Sequence, residues 1–434
     1  MNLTSILLSG YLILLPWTLH SPFPSSPVNI VWADLWFALL LIYCFIQNWI
    51  KQASRYLLRH EKIVFPLLLG ILLLNILLSG FTLRGWLKFL GIGYLILIVV
   101  VLRMVINSEA MLNRVFEIWF RLALILALSG ILAYGVMCWQ REPNFFIIKD
   151  PSYLGGEKFL WRLRSLGYSC SMLAGYLHLG VISGLWIKTT RTKSWIFLAL
   201  GSILLAIALT KTRIFLGALV TLAIYLGFHF HRYTQYKRLV VILFGSFLLV
   251  FSILVGGSIW YRIYPVSMDF EKTKIKISWN TAPSHYRFFN LLALALFKEH
   301  PVVGIGLGRF RNYSQNPEPI LQKHYPDFVK VLPREWAVSA HDPHSAYQGW
   351  LAETGVMGLS VIIIFWWTFF YSLIKAIQGS KSPIEKEKYI IFLGGLIGFL
   401  INGFYVDVLT LRYFWFLIAC LGVYLNLHEI RSAH

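Results

Sequence analysis

Along most of this chain the apolar residues neither alternate nor recur in stripes. They run on in blocks of roughly the 20 residues a helix needs to cross the hydrocarbon of a bilayer, and each block stops at a polar break. Twelve blocks fit, near 3–18, 29–48, 63–80, 86–106, 114–138, 168–187, 194–210, 213–230, 239–260, 346–374, 389–406 and 411–427. The expected fold class is therefore all-α: a polytopic membrane protein of about twelve transmembrane helices, with residues 1–434 forming a single transmembrane domain. Two connections break the rhythm of short turns, at 140–167 and at 261–345. The longer one carries HYRFFNLLALALFKEH (285–300), which reads as an amphipathic helix, followed by the turn-rich stretch PVVGIGLGRFRNY. Connections this long are functional or disordered. The aromatic and apolar content of this one argues against disorder.

Composition agrees with the pattern. Of 434 residues, 58% are hydrophobic and 13% charged, against about 25% charged in soluble domains. The formal charge of +20 would suggest nucleic acid in a soluble protein. Here the cations follow the breaks instead. With the N-terminus inside, the inner connections and C-terminal tail hold 17 Lys and Arg, and the short outer ones hold five. That asymmetry predicts both termini in the cytoplasm and both long loops outside. No basic stripe with interleaved aromatics stands on a soluble module, so no nucleic-acid partner is expected. The four cysteines lie in or beside apolar blocks with no CxxC, as small buried residues do. The opening MNLTSILLSGYLILLPW lacks a basic leader and a small-residue cleavage site, and reads as a retained first span.

The densest polar chemistry stands at the mouth of one apolar block, in HDPHSAYQGWLAETGVMG (341–358). Asp342-Pro343 is a helix-start signal, with Asp342 as N-cap and Pro343 first in the helix. His344 and Ser345 then fall in the first turn at the outer face. At 100° per residue Gly355 lies about 20° from His344 and Gly358 about 40° the other way, with Gln348 and Leu351 on the same stripe. Glycines so spaced let a neighbouring helix approach closely, which would hold His344 over a rigid seam. The helix N-terminus favours a phosphate and keeps the imidazole neutral and proton-accepting. A histidine at a membrane boundary is, taken alone, more often an interfacial polar residue than a base.

Arg164, Arg213, Arg287 and Arg412 sit at the expected outer face, against the positive-inside trend. Each could snorkel singly. Several of them beside a histidine suit a diphosphate, because the guanidinium fork matches phosphate oxygens. Asp34, Asp342, Glu353 and Asp407 lie near the outer mouth or within spans, and carboxylates there are functional candidates by default. Glu353 is half a turn away from the face of His344. No DxD pair, HExxH or other metal-ligand spacing occurs, so no metal is expected. GIGLG (304–308) has the wrong spacing for a dinucleotide fingerprint and reads as a loop turn.

These motifs resemble the superfamily of O-antigen ligases, O-antigen polymerases and O-linked oligosaccharyltransferases. The ligase signature is His, then Asn, Ser or Gln, nine residues, Gly, two residues, and Gly, Thr or Tyr. His344-Ser345, Gly355 and Gly358 satisfy it. Arg213 resembles the family's first essential arginine. RFFNLLALALFKEHPVVGIGLGRF resembles its arginine–helix–Pro–Gly-x-Gly region, which makes Arg287 the second. The likeness covers roughly 160–427. Thr212 stands where the family often has Ser, and SLGYSCSM replaces an Asn-Pro-Asn-like turn.

The resemblance implies a GT-C-like architecture and an inverting, metal-independent and cofactor-free glycosyltransferase. Its donor would be a glycan on undecaprenyl diphosphate, and its acceptor a glycan or lipid hydroxyl such as lipid A–core. It would work at the periplasmic face of the bacterial inner membrane, among membrane lipids. His344 would be the general base, with Arg213 and Arg287 on the donor diphosphate. Arg164, His341, Asp342, Ser345 and Gln348 would support them, and Gly355 and Gly358 would pack helices. Polymerisation from the same donor, transport of a small bicarbonate-like anion, and a scaffold without chemistry are the alternatives.

Overall fold

The computed structural model describes residues 3–18, 30–140, 144–151, 159–167, 169–190, 195–233, 266–271, 274–279, 285–330, 343 and 345–432. Eleven of the twelve apolar blocks lie on helices; the block at 239–260 falls outside the described residues. The helices of the first half are α1 (Leu3–Leu14), α2 (Trp32–Ile46), α3 (Glu61–Ser79), α4 (Leu83–Val105), α5 (Glu109–Gln140), α6 (Cys170–Thr190), α7 (Trp195–Leu209) and α8 (Ile214–Tyr233). After the long connection, whose amphipathic helix is α9 (His285–Glu299), come α10 (Ala346–Gly379), α11 (Pro383–Asn402) and α12 (Arg412–Ser432). Among the described residues α3, α4, α5, α6 and α10 are each long and apolar enough to cross a membrane, and α1, α2, α7 and α8 are shorter apolar helices. The protein is an all-α polytopic membrane protein.

The connections sort onto two faces. On one, Thr18 N–H donates to Leu166 O at 3.2 Å, and Arg162 Nε donates to Thr210 O at 3.1 Å. On that same face Arg309 reaches Gly80 O at 3.0 Å, and Arg412 pairs with Asp34 at 2.8 Å. On the other, Lys388 pairs with Glu109 at 2.7 Å, His229 meets Glu387 at 3.2 Å, and Asn426 donates to Tyr56 O. The two ends of α8 therefore lie on opposite faces. Between the faces runs an aromatic core in which Trp119, Trp186, Trp350 and Trp415 are buried. One buried charge in it is matched. Arg103 pairs with Glu61 and donates to Ile418 O at 3.0 Å, where glycine at 422 leaves room for the guanidinium. An unpaired buried charge would be strongly destabilising.

Each long connection also contains a small antiparallel hairpin. One pairs β1 (Ile147–Pro151) with β2 (Phe159–Leu163), and the other pairs β3 (Val266–Glu271) with β4 (Lys274–Trp279). Helical periodicity gave no sign of either. Leu163 fills the space left by Gly130 of α5, which seats the first hairpin on the bundle.

The expected amphipathic helix is α9. Its apolar side (Phe288, Phe289, Leu292 and Leu296) forms a second core with Ile305, Phe310, Leu321 and Phe328, and with Ala352 of α10. The loop is thus a folded unit docked on α10, held by burial of the α9 stripe.

The docking changes α10 itself. Gly355 has φ 63° and ψ −159°, so the helix breaks there. An unbroken helix would pair the amide of residue 356 with the carbonyl of 352, and 357 with 353. Instead Val356 N–H donates to Pro301 O at 2.9 Å and Met357 N–H to Val302 O at 3.3 Å. The freed carbonyls of Ala352 and Glu353 accept from Ile305 and Gly306 at 2.9 and 3.0 Å. All four freed groups are satisfied by loop backbone, as buried polar groups require. GIGLG makes the turn that permits this, with φ of 75°, 103° and 74° at Gly304, Gly306 and Gly308.

The seam expected at Gly355 and Gly358 therefore differs from a helix–helix contact. A side chain at 355 would overlap the carbonyl of Val302, so a loop approaches there, and one at 358 would strike Thr354 of the same helix. Gly355→Ala should lower unfolding stability by about 1–3 kcal/mol from backbone strain alone. Thermal unfolding in detergent would read this, and an unchanged midpoint would contradict it.

Candidate functional site

The site is built around the start of α10. Ser345 is its N-cap (φ −96°, ψ 130°), and its hydroxyl accepts from Gln348 N–H at 3.4 Å. Asp342-Pro343 is thus not the helix start. Serine caps as well as aspartate does, and Pro343 lies buried outside the helix, against Gly349. The angular relation drawn from His344 to Gly355 and Gly358 fails for two reasons. His344 precedes the cap, and the helix does not continue through Gly355. His341, Asp342 and His344 themselves lie outside the described residues. Ser345→Ala should cost about 1 kcal/mol through loss of the cap, which a detergent melt would register.

The first turn of α10 is locked onto the end of α11. Ala346 N–H donates to Gly403 O at 2.8 Å, and Ser345 Oγ donates to the same oxygen at 3.3 Å. Tyr347 OH donates to Leu400 O at 2.6 Å, and its ring meets Phe404 edge-on. Gly403 is required beside it, because a Cβ there would fall 2.7 Å from the Tyr347 hydroxyl oxygen. Gln348 is half-buried, and its Oε1 has no hydrogen-bond partner among the described residues.

Arg213 reaches the same segment from another element. It stands just before α8, and its guanidinium lies 4.8 Å from the ring centroid of Tyr405. Beneath this pair the helices are closely joined. Gly217 of α8 packs on Gly398 O and Asn402, and Tyr405 N–H donates to Asn402 O at 2.9 Å. Asn402 meets His178 Nδ1 at 3.2 Å, and His178 Nε2 meets Thr221 Oγ1 at 2.8 Å. Arg213 and the residue that follows His344 thus both touch the segment 403–405. For Arg287, the backbone lies in the first turn of α9, which packs on α10; its side chain is outside the described residues.

Residues 196–363 match a family described as O-Antigen ligase. The match covers about two fifths of the chain and supports its likeness to the O-antigen ligase superfamily. The matched stretch runs from α7 into α10 and includes Arg213, Arg287, His344, Gly355 and Gly358. No curated protein matches the chain.

Around the matched segment the arginines singled out from the sequence have different surroundings. Arg412 is neutralised by Asp34, which also accepts from Tyr94 OH at 2.5 Å and Val31 N–H at 2.8 Å. Arg164 N–H donates to Phe146 O at 2.8 Å, and its Nε is buried without a hydrogen-bond partner among the described residues. Reasoning from sequence missed Arg162, whose Nε donates to Thr210 O in the turn before Arg213. Lys211 in that turn has its ammonium pKa lowered, by burial first and then by Arg162. The hairpin thus gathers cations at the 210–213 turn, a favourable setting for an anion. Tyr405 was missed as well; its only signal was an aromatic residue inside the polar break NGFYVD.

The carboxylates resolve differently too. Glu353 is buried in an ion pair with Lys88 of α4 at 2.7 Å. Asp407, on the 403–411 connection, has its carboxyl pKa raised by burial; Lys88 opposes the shift and Glu353 adds to it. A folded-state pKa above the unfolded one contributes stability only at low pH, and that stability is lost as pH rises through the folded value. Asp407→Asn should therefore stabilise the protein at pH 7, with the gain vanishing below about pH 4. Melts across that range would show it, and a loss of stability at pH 7 would refute it.

Proposed function

We propose that the protein is a membrane glycosyltransferase of the O-antigen ligase type. It transfers a glycan from undecaprenyl diphosphate to an acceptor hydroxyl, of lipid A–core or a similar glycolipid. The reaction lies at the periplasmic face of the bacterial inner membrane, with both termini cytoplasmic. One observation carries this reading. In a chain whose residues 196–363 match O-antigen ligases, the Arg213 guanidinium lies over the Tyr405 ring while the helix following His344 begins on Gly403, two residues away.

In this reading the donor diphosphate lies against Arg213 and Arg287. His344 takes the proton of the acceptor hydroxyl as that oxygen attacks the anomeric carbon. The bond from that carbon to the diphosphate oxygen breaks, with inversion, and the electron pair leaves on the diphosphate. General-base assistance is worth about 10²–10⁴-fold. Stabilisation of the leaving charge by the two guanidiniums supplies the largest share of the rest. The Ser345 cap and Tyr347 hold the base-bearing end of α10. Gln348, Asp342, His341 and Arg164 border the acceptor and donor. No metal or organic cofactor takes part.

Surface-glycan analysis of a deletion strain tests this. Complementation with the native gene should restore glycan, and His344→Ala or Arg287→Ala should not. Loss of polymer from its anchor with long lipid-linked chains accumulating indicates a ligase. Accumulation of single lipid-linked repeat units indicates a polymerase using the same donor. Unchanged glycans in all strains would refute both.

A further inference from the structure

The break in α10 is clamped from outside by side chains that no part of the proposed chemistry uses. Asn75 of α3 is buried beside it. Its Nδ2 donates to Val303 O at 2.6 Å and to Glu353 O at 3.2 Å, and its Oδ1 accepts from Leu307 N–H at 2.8 Å. One carboxamide thus joins both strands of the exchanged backbone. The side chain of Glu353, in the turn before the break, pairs with Lys88 of α4 at 2.7 Å and accepts from Phe310 N–H at 3.4 Å. Gly85 of α4 lies tightly under Leu307 O, and Arg309 donates to Gly80 O. The α3–α4 hairpin therefore grips the loop and α10 at one point.

That point lies between the two arms of the proposed site. On one side, residues 300–310 continue directly from α9, which begins beside Arg287. On the other, nine residues of α10 lead back from Gly355 to Ala346, two positions after His344 in the sequence. We infer that Asn75 and the Lys88–Glu353 pair are positioning residues, which fix the α9 arm relative to the start of α10 through the break at Gly355. The inference rests on the proposed transfer reaction for its catalytic consequence, but not for its geometry. Reacting groups must be held closely, and a displacement of about 1 Å can cost 100-fold in rate. A charge left unpaired at Glu353 would also loosen the clamp.

The test uses the full chain in lipid nanodiscs and has two readouts. The first is the distance distribution between spin labels at Gln315, on the loop unit, and Thr410, on the 403–411 connection; both residues are exposed. Native protein should give one narrow distribution, and Asn75→Leu should broaden or shift it. The second is donor turnover per folded protein. Asn75→Leu and Lys88→Met should each lower kcat by about 10- to 100-fold with donor KM within a factor of about two, and Lys88→Arg should restore most of it. Should Asn75→Leu not accumulate, Lys88→Met reads the same clamp. An unchanged distance distribution, or kcat unchanged in folded variants, overturns the inference. If the native protein transfers no glycan, the reaction reading fails, and the distance measurement still decides the clamp.

Discussion

Arg213→Ala should reduce glycan transfer by about 10²–10³-fold, the usual effect of removing one group that stabilises developing charge. The guanidinium lies over the ring of Tyr405, 4.8 Å from its centroid, just outside α8. That contact keeps the charge beside the 403–405 segment. Arg213→Lys should recover little, because an ammonium is a point charge that cannot offer two parallel bonds. Tyr405→Leu should have a smaller effect. It removes about 0.5–2 kcal/mol of cation–π attraction and leaves the charge in place. Donor turnover in vesicles separates the three variants. Transfer above one tenth of native in Arg213→Ala would show that the residue is only an interfacial cation.

His344→Ala should lose about 10²–10⁴-fold, the range for general-base assistance. The pH dependence makes this specific. A base must be neutral to accept a proton, so transfer by the native protein should fall in acid. In His344→Ala the residual rate should lose that acid limb. His344→Asn would keep a polar side chain at the boundary without a base. It should be as inactive as alanine if the residue is catalytic, and near native if it is only interfacial. The Ser345 cap and the Gly403 contacts are the described features that hold the adjoining helix end.

The helical architecture was legible because the bilayer imposes block length directly on sequence. All eleven expected blocks within the described residues are helical, and the amphipathic pattern at 285–300 is α9. The details of α10 were less legible, for definite reasons. Ser345 and Asp342 are both good caps, and local sequence does not choose between them; contacts with Gly403 accompany the choice of Ser345. A helical wheel drawn through Gly355 assumes an unbroken ladder. The bonds of Val356 and Met357 to residues 301 and 302 come from a loop about fifty positions earlier, which no local window contains. The pairing of Arg412 with Asp34 spans 378 positions, and that of Glu353 with Lys88 spans 265. Both turned residues that looked like site candidates into matched ion pairs. Arg213 was legible as a cation on the unfavoured side of the charge asymmetry. Its partner Tyr405 was not, since a single aromatic residue in a polar turn has many uses.

In the proposed reaction Arg213, Arg287 and His344 share one pocket that holds a lipid-linked diphosphate. An experimental structure in lipid with a non-transferable prenyl diphosphate glycan bound tests it most directly. The account predicts both guanidiniums within hydrogen-bonding distance of the diphosphate oxygens, and the imidazole of His344 facing the anomeric carbon from the acceptor side. A diphosphate bound away from the 403–405 segment, or His344 and Arg213 on opposite sides of the membrane, would contradict it.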